Sequence, residues 1–279
     1  MILIADSGST KTHWCLAENG KALKEIFTDG INPFYENETE IARILKTQLT
    51  PDIISGNINS IFFYGAGCSF PDKKGTVRKA LEVVFPQTIS IIESDLLGAT
   101  RSLLQHRPGI ACILGTGSNS CFYNGNEMVS NVSPLGFVLG DEGSGAVLGR
   151  QLVADCLKSQ LPASLIQKFY QHFNITPQQI MENVYKKPFP NRFLASLVPF
   201  LAENKHDPDI YRLISNSFRL FFERNIRQYP ITGDMPVCFV GSVAHHFEDI
   251  LRETAAQQGI NISKIVQSPM SGLIEYHLN

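Results

Sequence analysis

Short apolar runs alternate with amphipathic stretches along this chain, and the pattern goes through two similar cycles. Met1–Ala5 reads as a strand, Asp6-Ser7-Gly8-Ser9 as a turn and Thr12–Leu16 as a returning strand. Asn19-Gly20 is a hairpin signal, because both residues accept the positive φ of a tight turn, and Ala22–Thr28 follows as a third strand. Glu36–Leu49 carries Ile41, Ile44, Leu45 and Leu49 at helical spacing. Ser60–Tyr64 and Thr88–Ile92 are expected strands, and Gly75–Phe85 is an expected helix stopped by Pro86. Leu96–Gln105 is another helix, with Ser94 or Asp95 placed to cap it.

The second cycle opens with Ile110–Leu114, the turn Gly115-Thr116-Gly117, the strand Ser118–Tyr123 and the turn Asn124-Gly125. From Glu142 to about Gln228 the pattern is helical, broken by prolines. Val237–Val240 is a strand, Phe247–Gln258 a helix ended by Gly259, Lys264–Gln267 a last strand and Met270–Tyr276 a last helix. Two strand–turn–strand units, each leading into strand–helix alternation, predict an α/β protein of two lobes with mixed sheets. The boundary is expected at His106-Arg107-Pro108-Gly109, giving lobes over 1–106 and 107–267.

Composition narrows the function classes. Hydrophobic residues make up 43% and charged residues 18% of 279, and the net charge of −2 leaves no broad basic surface for nucleic acid or anionic lipid. The first five residues are apolar but lack the basic flank and long core of a signal peptide. No apolar run approaches the roughly 20 residues of a membrane span. A cytoplasmic protein without membrane or nucleic-acid partners is therefore expected. The six cysteines show no C-x-x-C spacing and read as reduced, buried side chains. His245-His246 read as surface or nucleotide-edge packing, and Trp14 as core.

Candidate chemistry gathers at the strand ends. In Asp6-Ser7-Gly8-Ser9-Thr10-Lys11, small residues let backbone N–H groups approach an anion, and Ser9 and Thr10 add hydroxyls. Asp6 is placed to orient the water shell of Mg²⁺; an ordinary hairpin turn is the plainer reading. Gly115-Thr116-Gly117-Ser118-Asn119 repeats the arrangement, and two such hairpins facing each other can grip a nucleotide's phosphates. Gly241-Ser242 ends a strand before a helix, where a flat group can lie on the backbone. Asp95 stands where a strand gives way to a helix, the position at which function concentrates in open sheets; it would serve equally as a helix cap. In Gly136–Gly145, Asp141 and Glu142 suit either a helix N-terminus or the hydroxyls of a sugar.

The order Asp6-Ser-Gly-Ser-Thr-Lys11, Glu93-Ser-Asp95, Gly115-Thr-Gly-Ser-Asn119, Gly140-Asp-Glu-Gly-Ser144, Gly241-Ser-Val243 resembles that of the N-acetylglucosamine kinases, within the BadF/BadG/BcrA/BcrD-type ATPases of the actin/hexokinase/heat-shock-70 group. The resemblance implies two ribonuclease-H-like lobes, each a mixed five-stranded sheet flanked by helices, closing a cleft over ATP and an amino sugar. The C-terminal helix, about 268–279, would rejoin the first lobe. Ser9, Thr10, Lys11, Gly115 and Thr116 would serve the phosphates of ATP. Gly241, Ser242 and His245 would lie near the adenosine. Asn32, Asp95, Ser118, Asn119, Gly136 and Asp141 would hold the sugar, and Mg²⁺ would lie near Asp6 through water. Asp95 would be the base that takes the proton of the attacking hydroxyl, expected as a weak base of ordinary pKa near 4. A dimer is implied as well. Ser133-Pro134-Leu135-Gly136 departs from the Gly-Gly-Trp-Gly-like stretch of relatives, at positions that touch the sugar. The expected reaction is phosphorylation of N-acetylglucosamine on its 6-hydroxyl. The alternatives are a kinase for glucosamine or N-acetylmuramate, an ATPase activator of a dehydratase, or a sugar sensor.

Overall fold

The structure is a computed structural model that describes residues 1–8, 10–53, 58–230 and 235–278. The chain forms two units, Met1–Arg107 with Ser268–Asn279 and Pro108–Gln267.

The first unit is built on β1 (Ile2–Ser7), β2 (Lys11–Glu18), β3 (Lys21–Asp29), β4 (Ser60–Gly65) and β5 (Ile89–Ser94), in the order β3-β2-β1-β4-β5. β2 runs antiparallel to β1 and β3, while β4 and β5 lie parallel to β1. The β2–β3 turn has the positive φ its sequence demands, 51° at Asn19 and 74° at Gly20. Because β1 is covered on both faces, it reads as a continuous apolar run rather than an alternating one. Leu3 and Ala5 point into a core with Trp14, Ile61 and Phe63, while Ile4 joins Cys15, Tyr64, Met270 and Leu273 on the other face. The Trp14 indole donates to the Thr28 hydroxyl at 3.0 Å, satisfying its one polar atom in that core.

Three helices follow in this unit: α1 (Glu38–Ile44), α2 (Pro71–Val84) and α3 (Asp95–Leu104). α1 starts at an Asn37/Glu40 capping box. The predicted helix over 36–49 changes to a π-helical turn at Leu45–Leu49, where Gln48 reaches back to both the amide and the carboxylate of Asp29. α2 begins earlier than expected because Pro71 sits at the first helical position, where its missing N–H costs nothing. The last helix, Met270–Leu278, lies on α3 so closely that a Cβ on Gly272 would stand 2.3 Å from the Ser102 carbonyl oxygen.

The second unit repeats the plan. β6 (Gly109–Leu114), β7 (Ser118–Tyr123), β8 (Met128–Asn131), β9 (Val237–Val240) and β10 (Ile262–Val266) lie in the order β10-β9-β6-β7-β8. β7 is again antiparallel to its two neighbours, and β9 and β10 are parallel to the central strand. The edge strand β8 is half-exposed or exposed along its length, so its residues carry no alternation that the sequence would reveal. The helical stretch comprises α4 (Gly136–Leu139), α5 (Gly145–Leu157), α6 (Ala163–Phe173), α7 (Pro177–Tyr185), α8 (Pro190–Ala195), α9 (Val198–Glu203) and α10 (Pro208–Arg224); α11 (Ser242–His246) and α12 (Glu248–Gln257) follow β9. α10 buries Phe218, Phe221 and Phe222 against Phe239 and turns Arg219 outward to Glu223. All six cysteines are free and buried. No helix among the described residues is long and apolar enough to cross a membrane.

Two glycines on one face of α5 set how closely the α8–α9 segment approaches. A Cβ on Gly145 would meet Val198 and Ala195 at 3.2 and 3.3 Å, and one on Gly149 would lie 2.0 Å from the Leu194 carbonyl oxygen. Gly149→Ala should therefore lower unfolding free energy by about 1–3 kcal/mol, the usual cost of overpacking, although alanine is the better helix former. Chemical denaturation showing a neutral or stabilising effect would contradict this close approach.

Candidate active site

In the first unit, the ends of β1 and β5 each present a carboxyl group. Asp6 is the penultimate residue of β1 and pairs in the ladder with Tyr64; Asp95 directly follows β5 and opens α3. Both residues are half-buried, in surroundings that disfavour the charged form. Burial, reinforced by the Asp95 charge and opposed by Lys11, pushes Asp6 up to about 7. Burial likewise raises Asp95, against hydrogen bonds from the Leu96 N–H to its Oδ1 at 2.8 Å and from its own N–H. Capping of α3 falls to Ser94, whose hydroxyl accepts from the Leu97 N–H at 3.2 Å, so Asp95 is not the cap. The expectation of an ordinary carboxylate pKa at residue 95 is thus corrected, because partial burial disfavours its charged form.

The turn beside Asp6 is held from below. The buried Ser7 hydroxyl donates to the Ile31 carbonyl at 3.0 Å and lies 2.7 Å from the Thr12 hydroxyl, which reaches the Asp29 carbonyl. These two hydroxyls serve the scaffold. Thr10 is exposed at the turn, Lys11 stands over the Phe27 ring at 5.0 Å, and Ser9 lies outside the described residues. Asn32 is buried in the loop after β3, accepting from the Phe34 N–H at 3.0 Å. Gly67, at φ +81°, is needed there, since a Cβ would come 2.4 Å from the Asn32 Oδ1.

In the second unit, the hairpin between β6 and β7 has every carbonyl of its turn engaged from within. Gly117 accepts from Gly115 at 2.9 Å, Gly115 from Gly145 at 2.8 Å and Thr116 from Ala146 at 3.0 Å. The first amides of α5 thus hold the hairpin, and the next, Val147, donates to the Ser144 cap. Among the described residues, no hydrogen bond uses the Thr116 amide, the Gly117 amide or the Thr116 hydroxyl. Gly241 closes on the same hairpin with φ +127°, where a Cβ would stand 2.2 Å from the Leu114 carbonyl oxygen.

Beside this hairpin lies a cavity of about 420 Å³, lined by Gly115, Thr116, Gly145, Ala195, Ser196, Val198, Pro199, Ala202, Glu203, Ser242, Val243 and His246. Its walls are mainly apolar, with a few polar groups, as in sites for a flat heterocycle. His246 lines it, whereas His245 is exposed and outside the lining. The wall from Ala195 to Glu203 was not expected from sequence; its one signal was the Gly145/Gly149 spacing that admits it.

A polar cluster stands on the other side of the hairpin. Asp141, in the left-handed region at φ 56°, accepts from the Ser118 N–H, and its Oδ2 would lie 3.1 Å from a Cβ on Gly117. Burial raises Asp141 to about 6, the Ser118 amide holding it down and the Glu142 charge pushing it up. Asn119 is next to this cluster on β7. Glu142 faces inward to Arg224 of α10 at 2.5 Å and serves the scaffold. Gly136 stands apart at the start of α4, with φ +74° and open space around it.

No protein-family profile matches the chain. The N-acetylmuramic acid/N-acetylglucosamine kinase of Clostridium acetobutylicum is 25% identical over 162 residues, 55% of this chain and 52% of that protein. The chain thus spans about half the length of this curated relative. A crystal structure from Porphyromonas gingivalis, of a protein provisionally named N-acetylglucosamine kinase, is 48% identical, covers 100% of this chain and 99% of its own, and superposes with a TM-score of 0.97. The chain belongs to the N-acetylglucosamine kinase family. A structure from Chromobacterium violaceum with the same provisional name is 17% identical over 99% of both chains, with a TM-score of 0.72, and shares the fold. The paired five-stranded sheets are those of this family's actin-like ATPase fold.

Within that family frame, the carboxyl pair of the first unit has a cost that can be measured. Asp6 titrates at about 7 in the folded chain and near 3.8 when unfolded, so between those values the folded state holds the extra proton. Stability from this group therefore falls as pH rises through that window and stays low above it. Asp6→Asn should raise the melting temperature at pH 8 by roughly 3–8 °C, with the gap closing toward pH 4. A gap that is absent or independent of pH in calorimetric scans would show that Asp6 is not held out of water.

Proposed function

We propose that this protein transfers the γ-phosphoryl group of ATP to a hydroxyl of an amino sugar, with N-acetylglucosamine giving its 6-phosphate as the leading reaction. The observation that carries the reading is the β6–β7 hairpin. Its carbonyls are all turned inward and engaged, while two amides and a hydroxyl remain as donors at the mouth of a nucleoside-sized cavity. Converging N–H groups on small residues suit a phosphate chain, and the apolar walls at Val198, Pro199 and Val243 suit a purine.

The sugar would be read by groups of opposite polarity. Asp141 accepts from a sugar hydroxyl once ionised, and Asn119 supplies an amide at the neighbouring position. Asn32, fixed by its own loop, is a further candidate. Asp95 is the group suited to take the proton. As the hydroxyl oxygen bonds to the γ-phosphorus and the bond to the β–γ bridging oxygen breaks, ADP leaves with the electron pair and the hydroxyl proton passes to the Asp95 carboxylate. Burial makes that carboxylate a stronger base than one in water, and the Leu96 amide keeps it in place. Phosphoryl transfer passes through a loose transition state, so positioning and charge are most of what a protein contributes.

Two half-buried carboxyls, the Asp95 charge raising Asp6, form a negative pair suited to Mg²⁺, which takes one or two carboxylates and keeps the rest of its shell as water and phosphate oxygen. Asp6, and Asp95 beside it, would hold the ion through water; when bound it supplies positive charge to the phosphates.

The deciding assay measures ADP release with Mg²⁺ across N-acetylglucosamine, glucosamine and N-acetylmuramate. Sugar-dependent release, greatest with N-acetylglucosamine, is expected; ATP binding without sugar-dependent release would overturn the kinase reading. Asp95→Asn should lower turnover by at least about 100-fold while nucleotide affinity stays within a few-fold. Near-normal turnover in that variant would remove Asp95 as the base. Because Asp141 is ionised only above about 6, the KM for sugar should rise as pH falls through 6, with the KM for ATP changing less.

A further inference from the structure

We infer that Asn131, on the edge strand β8, is a positioning residue that fixes Asn119 as a hydrogen-bond donor toward the sugar. The inference rests on the reading that Asn119 meets the substrate. The Asn131 side-chain amide donates to the Asn119 Oδ1 at 2.8 Å, and the Ser120 N–H donates to the same oxygen at 2.9 Å. With two donors on it, that oxygen faces the protein, and the Asn119 NH₂ is the end left to point outward. An asparagine can present either end of its amide, and the two ends nearly match in shape. What distinguishes them here is the pair of donors, the Ser120 N–H and the Asn131 side chain, and Asn131 is the one a substitution can remove.

The rest of β8 keeps Asn131 in register. Asn131 pairs with Cys121 in the ladder, and its amide also donates to the Ser120 carbonyl at 2.7 Å and the Val132 carbonyl at 3.2 Å. Behind it, the buried Tyr229 hydroxyl donates to the Ser120 carbonyl at 2.8 Å and accepts from the Val132 N–H at 2.9 Å. The exit of β8 is thus tied to β7 on both sides of Asn131.

This sets the chemistry of recognition. The sugar hydroxyl that meets Asn119 must accept, so its own proton is directed to an acceptor, and the Asp141 carboxylate beside Ser118 is one. A ring position whose hydroxyl is replaced by fluorine keeps an acceptor, whereas a deoxy position keeps nothing. The enzyme should therefore prefer the fluoro sugar over the deoxy sugar at the one ring position read by Asn119.

The test measures kcat and KM for N-acetylglucosamine and for its 3- and 4-deoxy and deoxyfluoro analogues, in the full-length protein and in Asn131→Ala. We expect the variant to raise the sugar KM about tenfold, the worth of one well-placed hydrogen bond, with kcat and the KM for ATP within about twofold, and to narrow the fluoro-over-deoxy preference, the Ser120 N–H alone still holding the Asn119 oxygen. Asn131→Ser, which keeps a hydroxyl donor, should fall between the two and guards against a variant that simply misfolds. If the unmodified protein phosphorylates the sugar but Asn131→Ala keeps its KM and its preference, the positioning role is overturned. If the unmodified protein shows no sugar-dependent ADP release, it is the kinase reading that fails.

Discussion

Two half-buried carboxyl groups at the ends of parallel strands β1 and β5 are the constraint around which the first unit is arranged. β1 and β5 flank β4, so the ends of all three strands stand side by side, and Asp6 comes within reach of the Asp95 charge. Among the described residues neither carboxyl has a close ion-pair partner; the moderating influence on Asp6 is Lys11. Burial of like charges opposes folding, and the surrounding structure offsets it. Ser7 and Thr12 tie the turn to the Asp29–Ile31 segment, Ser94 caps α3, and the last helix clamps α3 from outside through Gly272. Half-buried carboxylates of this kind gain from nearby positive charge or from taking up a proton, which is what the proposed role of Asp95 as base would use.

The second unit meets the opposite requirement. The proposed phosphate site calls for donors, and a tight hairpin normally exposes carbonyls as well as amides. Here the carbonyls are removed from the surface by the N-terminus of α5, whose first amides need acceptors of their own. The arrangement requires close backbone contact at three places. Gly241 approaches the Leu114 carbonyl, Gly145 the Val198 side chain and Gly149 the Leu194 carbonyl. Each contact would be lost with a larger residue, so the hairpin, the cavity wall and the helix that joins them are specified together.

Much of this was legible in the sequence, and where it was not the reasons are physical. Both hairpins were visible because Asn19-Gly20 and Gly115-Thr116-Gly117 carry turn chemistry that few other conformations share, and Val237–Val240 because buried parallel strands are uniformly apolar. β8 was missed because Met128–Asn131 is an edge strand with little buried surface. The π-helical turn at Leu45–Leu49 was missed because its apolar spacing fits an α-helix equally well. At the site, strand ends pointed to Asp6, Asp95 and Thr116, but the wall from Ala195 to Glu203 lies some 80 residues from the hairpin it faces and carries no motif. His246 rather than His245 lines the cavity because α11 is a single short turn whose phase a sequence pattern cannot fix. The raised pKa of Asp95 depends on burial, a tertiary property, and could not be read from Glu93-Ser94-Asp95.

The direct measurement of the buried carboxyl pair is a ¹³C NMR titration of aspartate side chains in the protein and in Asp95→Asn. The account predicts that Asp6 titrates near 7 in the unmodified protein and at a lower pH, still above the ordinary carboxylate range, once the neighbouring charge is gone. An Asp6 that titrates near 4 in both proteins would contradict it, and with it the claim that these strand ends disfavour the charged form of Asp6.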